Sequence, residues 1–461
     1  MNYYAYEMAH AFMSPVRFGV QALRSTLDWP LNPMAYTAAG KNMMAACEVF
    51  ESITRRYGKP EFGIKAVSVA GVDVPVHEET ALALPFCNLI HFVRDEAQAG
   101  GKRNDPKVLI IAPMSGHYAT LLRGTVEVML PEHDVYITDW ADARNVPIAA
   151  GRFDFDDFVE YLTHFVRLIG ADTHVLAVCQ PAVPALVATA VMAARNEEVQ
   201  PASLILMGGP IDTRRNPTKV NELAAQQPIS WFEQNVVMTV PFPHAGFMRP
   251  VYPGFMQLTG FMTMNLERHM NAHVELFNNL VKGDCDSVRQ HQTFYEEYLS
   301  VMDLTAEFYL QTVQTVFQDH LLPDKKLMHQ GELVDCSVIA KTALMTIEGE
   351  RDDICGLGQT EAAHDLCTSI PSDEKVHYVQ AGVGHYGVFN GTRWRTEIQP
   401  RIREFIRDVN YKHRSADGTA RTQRPHRILQ DALDSSPDWR RTVSPLKSAN
   451  GSRTPETTLA K

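Results

Sequence analysis

The order of apolar and polar positions divides this chain of 461 residues into regions of different period. Residues 4–27 carry apolar side chains at roughly helical spacing and predict an amphipathic helix. Residues 28–33 break it, and 35–57 predict a second helix. From about 64 the pattern shortens. The β-branched runs 65–69 and 87–93 flank a Gly71-Val72-Asp73 turn region, as expected of antiparallel strands at a sheet edge. Unbroken apolar runs then alternate with helical ones. Residues 108–113 form an apolar strand of the kind buried on both faces of a parallel sheet, followed by a loop at 114–120 and a helix through 130. A strand at 135–140, a helix at 155–168 capped by Asp154, a strand at 173–178, a helix at 182–194 and a strand at 203–209 continue the alternation. From 210 to 335 it stops, in a span rich in Met, Phe, Tyr and Trp with helical stretches such as 288–317. It resumes with strands at 343–349 and 375–379 and a closing helix near 396–409.

This alternation predicts an α/β fold with a mostly parallel sheet and helices on both faces. The expected organisation is an N-terminal helical segment (1–60), a core in two parts (61–209 and 336–410), a helical lid inserted between them (210–335), and a polar tail (411–461). The insertion is expected to lie over the carboxyl edge of the sheet, where such folds place their sites. The tail is rich in Ser, Thr, Pro and Arg and poor in large apolar residues, so it is expected to be disordered.

Composition narrows the function. A net charge of −11 argues against nucleic acid as a partner. The seven cysteines are scattered, with no paired CxxC and no ligand-like histidine spacing, so they read as free thiols in a reducing compartment and not as a zinc site. The start of the chain lacks the pattern of a signal peptide, and no window has 18 apolar residues without charge. A cytoplasmic location is expected.

One junction carries chemistry. The strand at 173–178 runs through Cys179 into a helix of small and apolar residues. A nucleophile at such a bend is held out of the sheet at a fixed angle, at a helix N-terminus that favours a thiolate. The N–H of Gln180 then points where an oxyanion would form. Ala177 and Pro181, small or already bent, fit the tight turn where hydrolases more often place glycine. The alternative is an inert core cysteine.

Two later turns weigh against that alternative. The strand at 343–349 ends in Gly349-Glu350-Arg351-Asp352-Asp353, and the strand at 375–379 is followed by Gly382-Val383-Gly384-His385-Tyr386-Gly387. Both lie at the same sheet edge as Cys179. The chain order nucleophile, acid, histidine is that of α/β-hydrolases. His385 would move the proton and Asp352 would orient the ring, with Asp353 an equally suitable acid on composition. Asp139 and Asp142, after an earlier strand, read as structural.

The sequence resembles the intracellular polyhydroxyalkanoate (poly-3-hydroxybutyrate) depolymerases of bacteria over roughly residues 1–410. The resemblance rests on Tyr4-Ala5-Tyr6-Glu7 to Pro15-Val16-Arg17-Phe18, on the run 112–123, on 138–144, on Leu176-Ala177-Val178-Cys179-Gln180-Pro181, and on Gly384-His385-Tyr386-Gly387. It implies an α/β-hydrolase with a Cys-Asp-His triad that cleaves the esters of stored polyester, with Cys179 as nucleophile, Asp352 as acid and His385 as base. It says nothing of the tail.

Ester cleavage needs a nucleophile, a proton shuttle and a home for the oxyanion, and no metal or other cofactor. The second oxyanion donor is expected from the backbone of Met114 or Ser115. The implied partner is an insoluble polyester granule, and the aromatics Trp231, Phe232, Phe247, Tyr252 and Phe255 of the insertion are expected to meet it, unless they fill the core of the lid. A homo-oligomer remains open. The competing readings are a polyester synthase-like acyltransferase and a non-catalytic granule-coating protein on a hydrolase scaffold.

Overall fold

The computed structural model describes residues 3–95, 97–98, 101, 103–264 and 266–417. Two helices open the chain, α1 (Tyr3–Leu27) and α2 (Ala38–Thr54), the second capped by the Thr37 hydroxyl. An antiparallel meander follows: β1 (Ala66–Val69), β2 (Val72–Leu84) and β3 (Cys87–Arg94). Ala70 and Gly71 both have positive φ, which gives the β1–β2 turn the twist a two-residue hairpin requires. Strand β2 is longer than the turn region expected there. Its Pro75, Glu78 and Glu79 and its mostly exposed face hide the strand from pattern reading, whereas pairing with both β1 and β3 enforces it.

The alternating part contains β4 (Lys107–Ile111), α3 (Arg123–Met129), β5 (Asp134–Trp140), α4 (Phe155–Ile169), β6 (Thr173–Val178), α5 (Ala182–Ala194) and β7 (Ser203–Met207). Helix α4 starts in a reciprocal cap: Asp154 accepts from the N–H of Asp157, and Asp157 accepts from that of Asp154. Strands β8 (Ala343–Gly349) and β9 (Lys375–Gln380) complete one nine-stranded sheet in the order β1-β2-β3-β5-β4-β6-β7-β8-β9. Pairing is parallel from β5 to β9 and antiparallel from β1 through β3 to β5. Every residue of β6, β7 and β8 is buried, as a layer covered on both faces demands. Helices α4 and α5 pack together on one face. On the other, the closing helix (Gln399–Asp417) lies beside α3 through Arg403 and Arg407, both bound to Glu132. This is the α/β-hydrolase fold expected from the alternation.

Between β7 and β8 the chain forms α6 (Lys219–Gln226), α7 (Ile229–Asn235), α8 (Gly254–Met264), α9 (Leu266–Lys282), α10 (Cys285–Tyr298) and α11 (Ala306–Thr312). The helical stretch expected over 288–317 is broken at 299–305. There the Met302 N–H donates to Gly116 O and the buried Asp303 carboxylate accepts from Tyr3 and from the Gly254 N–H, so tertiary bonds override helical spacing. The closing helix also runs past residue 411, where the polar tail was expected to begin: Val409 is buried and Lys412 pairs with Asp373, which anchors that end. The rest of that tail, 418–461, lies outside the described residues. Among the described residues no helix is long and apolar enough to cross a membrane.

One buried ion group ties the hairpin at 328–333 to α4. His329 donates from Nδ1 to Asp156 at 2.9 Å and from Nε2 to Glu160 at 3.0 Å. Burial opposes its charge, but the two carboxylates outweigh burial and raise its pKa to about 9. A folded pKa above the unfolded value of about 6.5 means this stabilisation is full below pH 6.5 and fades as pH rises through 9. His329→Gln should therefore lower the urea midpoint at pH 6 and flatten the loss of stability between pH 6.5 and 9. An unchanged pH slope would refute the assignment.

Candidate active site

The site forms where β6, β8 and β9 end. Cys179 sits at the bend with φ of 66°, a left-handed conformation that a non-glycine residue holds only when its surroundings enforce it. Its N–H donates to Met207 O at 2.8 Å and its carbonyl accepts from Ala182 N at 3.0 Å, so both backbone groups lock the turn. Pro181 caps α5, in place of a residue whose N–H would need a partner. The turn is as tight as its small residues foretold. A Cβ at Gly209 would stand 2.1 Å from the Ala182 side chain.

Asp352 follows β8, and its side chain is only 1% exposed. Its Oδ1 accepts from the N–H groups of Ile354 and Cys355 at 2.9 and 2.8 Å, and its Oδ2 accepts from His385 Nδ1 at 2.7 Å. His385 is buried too, and its ring lies close enough to the Cys179 side chain for the two to be electrostatically coupled. With Nδ1 taken by Asp352, Nε2 is the nitrogen left for the sulfur. Burial disfavours the imidazolium, but the charges of Asp352 and Cys179 and the bond to Asp352 overcome it and push the His385 pKa up. The three residues singled out from sequence thus meet at one point. Asp353, the other acid that composition allowed, instead lines the cavity beside the ring.

Gly208 makes the meeting possible. With φ of +57° it passes close to two of these residues, and a Cβ there would lie 3.3 Å from His385 Cε1 and 3.4 Å from Asp352 Oδ2. Of the other cysteines, 47, 87, 336, 355 and 367 are buried and 285 is exposed. Burial raises the Cys355 thiol pKa well above normal, so it does not compete as a nucleophile.

The backbone N–H groups of Gln180, Met114 and Ser115 have no hydrogen-bond acceptor among the described residues. The loop carrying the last two is fixed from both sides. Trp140 donates to Ala112 O, and Ala112 N–H donates to Thr138. On the outer side Gly116 O accepts from Met302 N–H at 2.7 Å, His117 Nε2 donates to Tyr298 O at 3.1 Å, and Thr120 and Arg123 both bind Glu297. Gly116, at φ +106°, leaves no room for a side chain: a Cβ would meet Gln257 Oε1 at 2.8 Å.

A cavity of 670 Å³ opens on His385. Its walls come from α9 and α10, chiefly His269, Leu276, His291, Phe294, Tyr295 and Tyr298. None of the five aromatics expected to bind substrate lines it. Phe232 is buried against Trp231 and Tyr309, Tyr252 stacks on Tyr309, Phe255 stacks on Tyr6, and Phe247 is exposed beside Phe242. Four of the five are packed against other rings, as the alternative of a filled lid core has it, and Phe247 is exposed. The usable signal was the one-face spacing of His291, Phe294, Tyr295 and Tyr298 on α10. The two imidazoles that α9 and α10 bring to the cavity are pushed the other way from His385: burial depresses the His269 pKa, and burial with repulsion from His273 takes His291 down to about 4.

The sheet order, the bent strand–cysteine–helix junction and the acid and histidine at later strand ends define the chain as an α/β-hydrolase in fold. Comparison with known proteins goes further for part of it. A family model described as the C-terminus of PHB de-polymerase matches residues 208–410, which include Asp352 and His385. The Poly(3-hydroxyalkanoate) polymerase subunit PhaC of Haloferax mediterranei is 26% identical over 165 residues, covering 35% of this chain and 31% of that protein. The match thus spans less than a third of that relative's length. Among solved structures, a putative lipase from Acinetobacter baumannii AYE is 13% identical with a TM-score of 0.40, over 73% of this chain and 93% of its own. A thermophilic esterase from Thermogutta terrifontis is 14% identical with a TM-score of 0.36, over 75% and 98%.

The glycine contacts yield a stability test. Gly209→Ala should cost about 1–3 kcal/mol or more by overpacking. Gly208→Ala should cost about 1–2 kcal/mol from its left-handed backbone. Gly260→Ala, with open space around it in α8, should not destabilise the fold. Urea unfolding of the three variants checks the order, and equal midpoints would contradict it.

Proposed function

We propose that the protein is a cytoplasmic, granule-associated depolymerase that hydrolyses the ester bonds of stored poly-3-hydroxybutyrate or a related polyhydroxyalkanoate to 3-hydroxybutyrate monomers or oligomers. The observation that carries this reading is the single buried ring of His385 bonded to Asp352 on one side and coupled to Cys179 on the other, within a stretch matched by the depolymerase family model. Walls whose histidines, His269 and His291, have depressed pKa values suit an uncharged ester.

In this mechanism Cys179 Sγ attacks the ester carbonyl carbon while its proton passes to His385 Nε2. The oxyanion is held by the N–H of Gln180 and that of Met114 or Ser115. Collapse breaks the C–O bond, and His385 returns the proton to the departing alkoxide, leaving a hydroxyl-ended chain and a thioester on Cys179. Water, deprotonated by His385, then attacks the thioester and releases the carboxylic acid and the thiol. Asp352 keeps the proton on Nδ1 and stabilises the imidazolium throughout. Residues 210–335 act as the lid that supplies the cavity walls. No cofactor enters.

The test is incubation with amorphous poly-3-hydroxybutyrate granules. Wild type should release soluble 3-hydroxybutyrate or short oligomers, and Cys179→Ala and Cys179→Ser almost none, since an alcohol stays protonated where a thiol ionises. Asp352→Asn should lower kcat by about 10³–10⁴. Release by Cys179→Ala equal to wild type would sink the reading. The match to a polymerase subunit favours one rival, an acyltransferase that builds polyester. Polymer formed from 3-hydroxybutyryl-CoA, with no granule hydrolysis, would decide for it.

A further inference from the structure

Helix α1 has apolar residues on two faces, and only one of them is packed. On a 3.6-residue helix its exposed Tyr4, Met8, Phe12, Val16 and Leu23 fall within an arc of about 120°. Its three charged residues lie on the opposite side and are all engaged with α2 or the residues just after it. Glu7 pairs with Arg56, Arg24 pairs with Glu48, and Arg17 donates to Thr54 O. A surface helix of a globular protein ordinarily has one apolar face, turned inward. Here the packed side already holds Tyr3, Tyr6, Met13, Val20 and Leu27 together with the charged residues, and a second, uncharged apolar face meets water, with Phe12 72% exposed. The apolar surface continues past the helix through Trp29 and Leu31, the latter 84% exposed.

We propose that this α1 face is the surface by which the protein docks on its insoluble polyester, which rests on the depolymerase reading above. Three observations select that occupant. The stripe carries no charge although the chain is at −11, so it fits a neutral surface and not an acidic or basic partner. A 25-residue helix offers a stripe of about 37 by 10 Å, or about 370 Å², less than half the roughly 800 Å² each partner contributes to a stable dimer. Tyr4 and Trp29 bring a phenol and an indole N–H within an otherwise apolar surface, suited to ester carbonyls spaced along a hydrocarbon backbone. The face is also well placed: α2 packs on α9, whose His269 and Leu276 line the cavity, and Gln292 of α10 donates to Glu48 of α2. Docking through α1 would hold the cavity close to the polymer. It replaces the insertion aromatics as the granule contact, most of which are packed against neighbours.

The experiment uses the full chain carrying Met8→Gln, Phe12→Gln and Val16→Gln, all at exposed helical positions. In a Cys179→Ala background, co-sedimentation with amorphous poly-3-hydroxybutyrate particles should weaken about tenfold. With Cys179 intact, hydrolysis of a soluble 3-hydroxybutyrate trimer should stay within about twofold of wild type. Unchanged sedimentation overturns the proposal. So does equal binding of the parent to neutral phosphatidylcholine vesicles, or a parent dimer in analytical ultracentrifugation that the triple variant abolishes. Failure of wild type to cleave the soluble trimer would instead strike the catalytic reading, because sedimentation of the Cys179→Ala protein does not depend on turnover.

Discussion

The buried bond between Asp352 and His385 is the constraint on which the site depends. A carboxylate with almost no exposure needs every lone pair directed, and here two backbone N–H groups and one imidazole meet it. Those donors come from different segments, so the turn after β8 and the loop after β9 must approach within van der Waals limits. Glycine supplies the clearance. A Cβ at Gly349 would lie 2.9 Å from Val383 O, and Gly208 admits the ring and carboxylate beside β7. Desolvation then works for the site. In a water-poor setting the interactions among Cys179, His385 and Asp352 are stronger than they would be at the surface.

Much of this was legible in the chain itself, and for a local reason. A nucleophile bend is encoded by neighbours: a buried β run, one cysteine, a proline and a helix of small residues. The fold followed from alternation over long, strongly periodic segments. Asp352 and His385 could be placed because each directly follows its own strand, where position in sequence nearly determines position at the sheet edge. Composition alone could not separate Asp352 from Asp353. The separation is made by the turn, which directs Oδ1 of Asp352 onto two N–H groups and leaves Asp353 facing the cavity.

What escaped the sequence was set by distant partners. Strand β2 is held by neighbours on both sides despite a proline and a polar outer face. The helical stretch after 298 ends because Gly116 and Asp303 capture its backbone or are captured by it. The exposed apolar face of α1 was invisible because amphipathic spacing gives the angle between two faces and not which of them is packed. Only the ion pairs to Glu48 and Arg56 settle that. Which insertion aromatics are exposed was hidden for a related reason: abundance of rings does not say which ones stack on each other.

The fastening of the loop after β4 to the end of α10 has a mechanical consequence. Gly116, His117, Thr120 and Arg123 all grip the segment from Glu297 to Met302, so the loop of Met114 and Ser115 and the far end of that helix move together or not at all. Any opening of the cavity walled by α9 and α10 must therefore leave this seam shut or carry the loop with it.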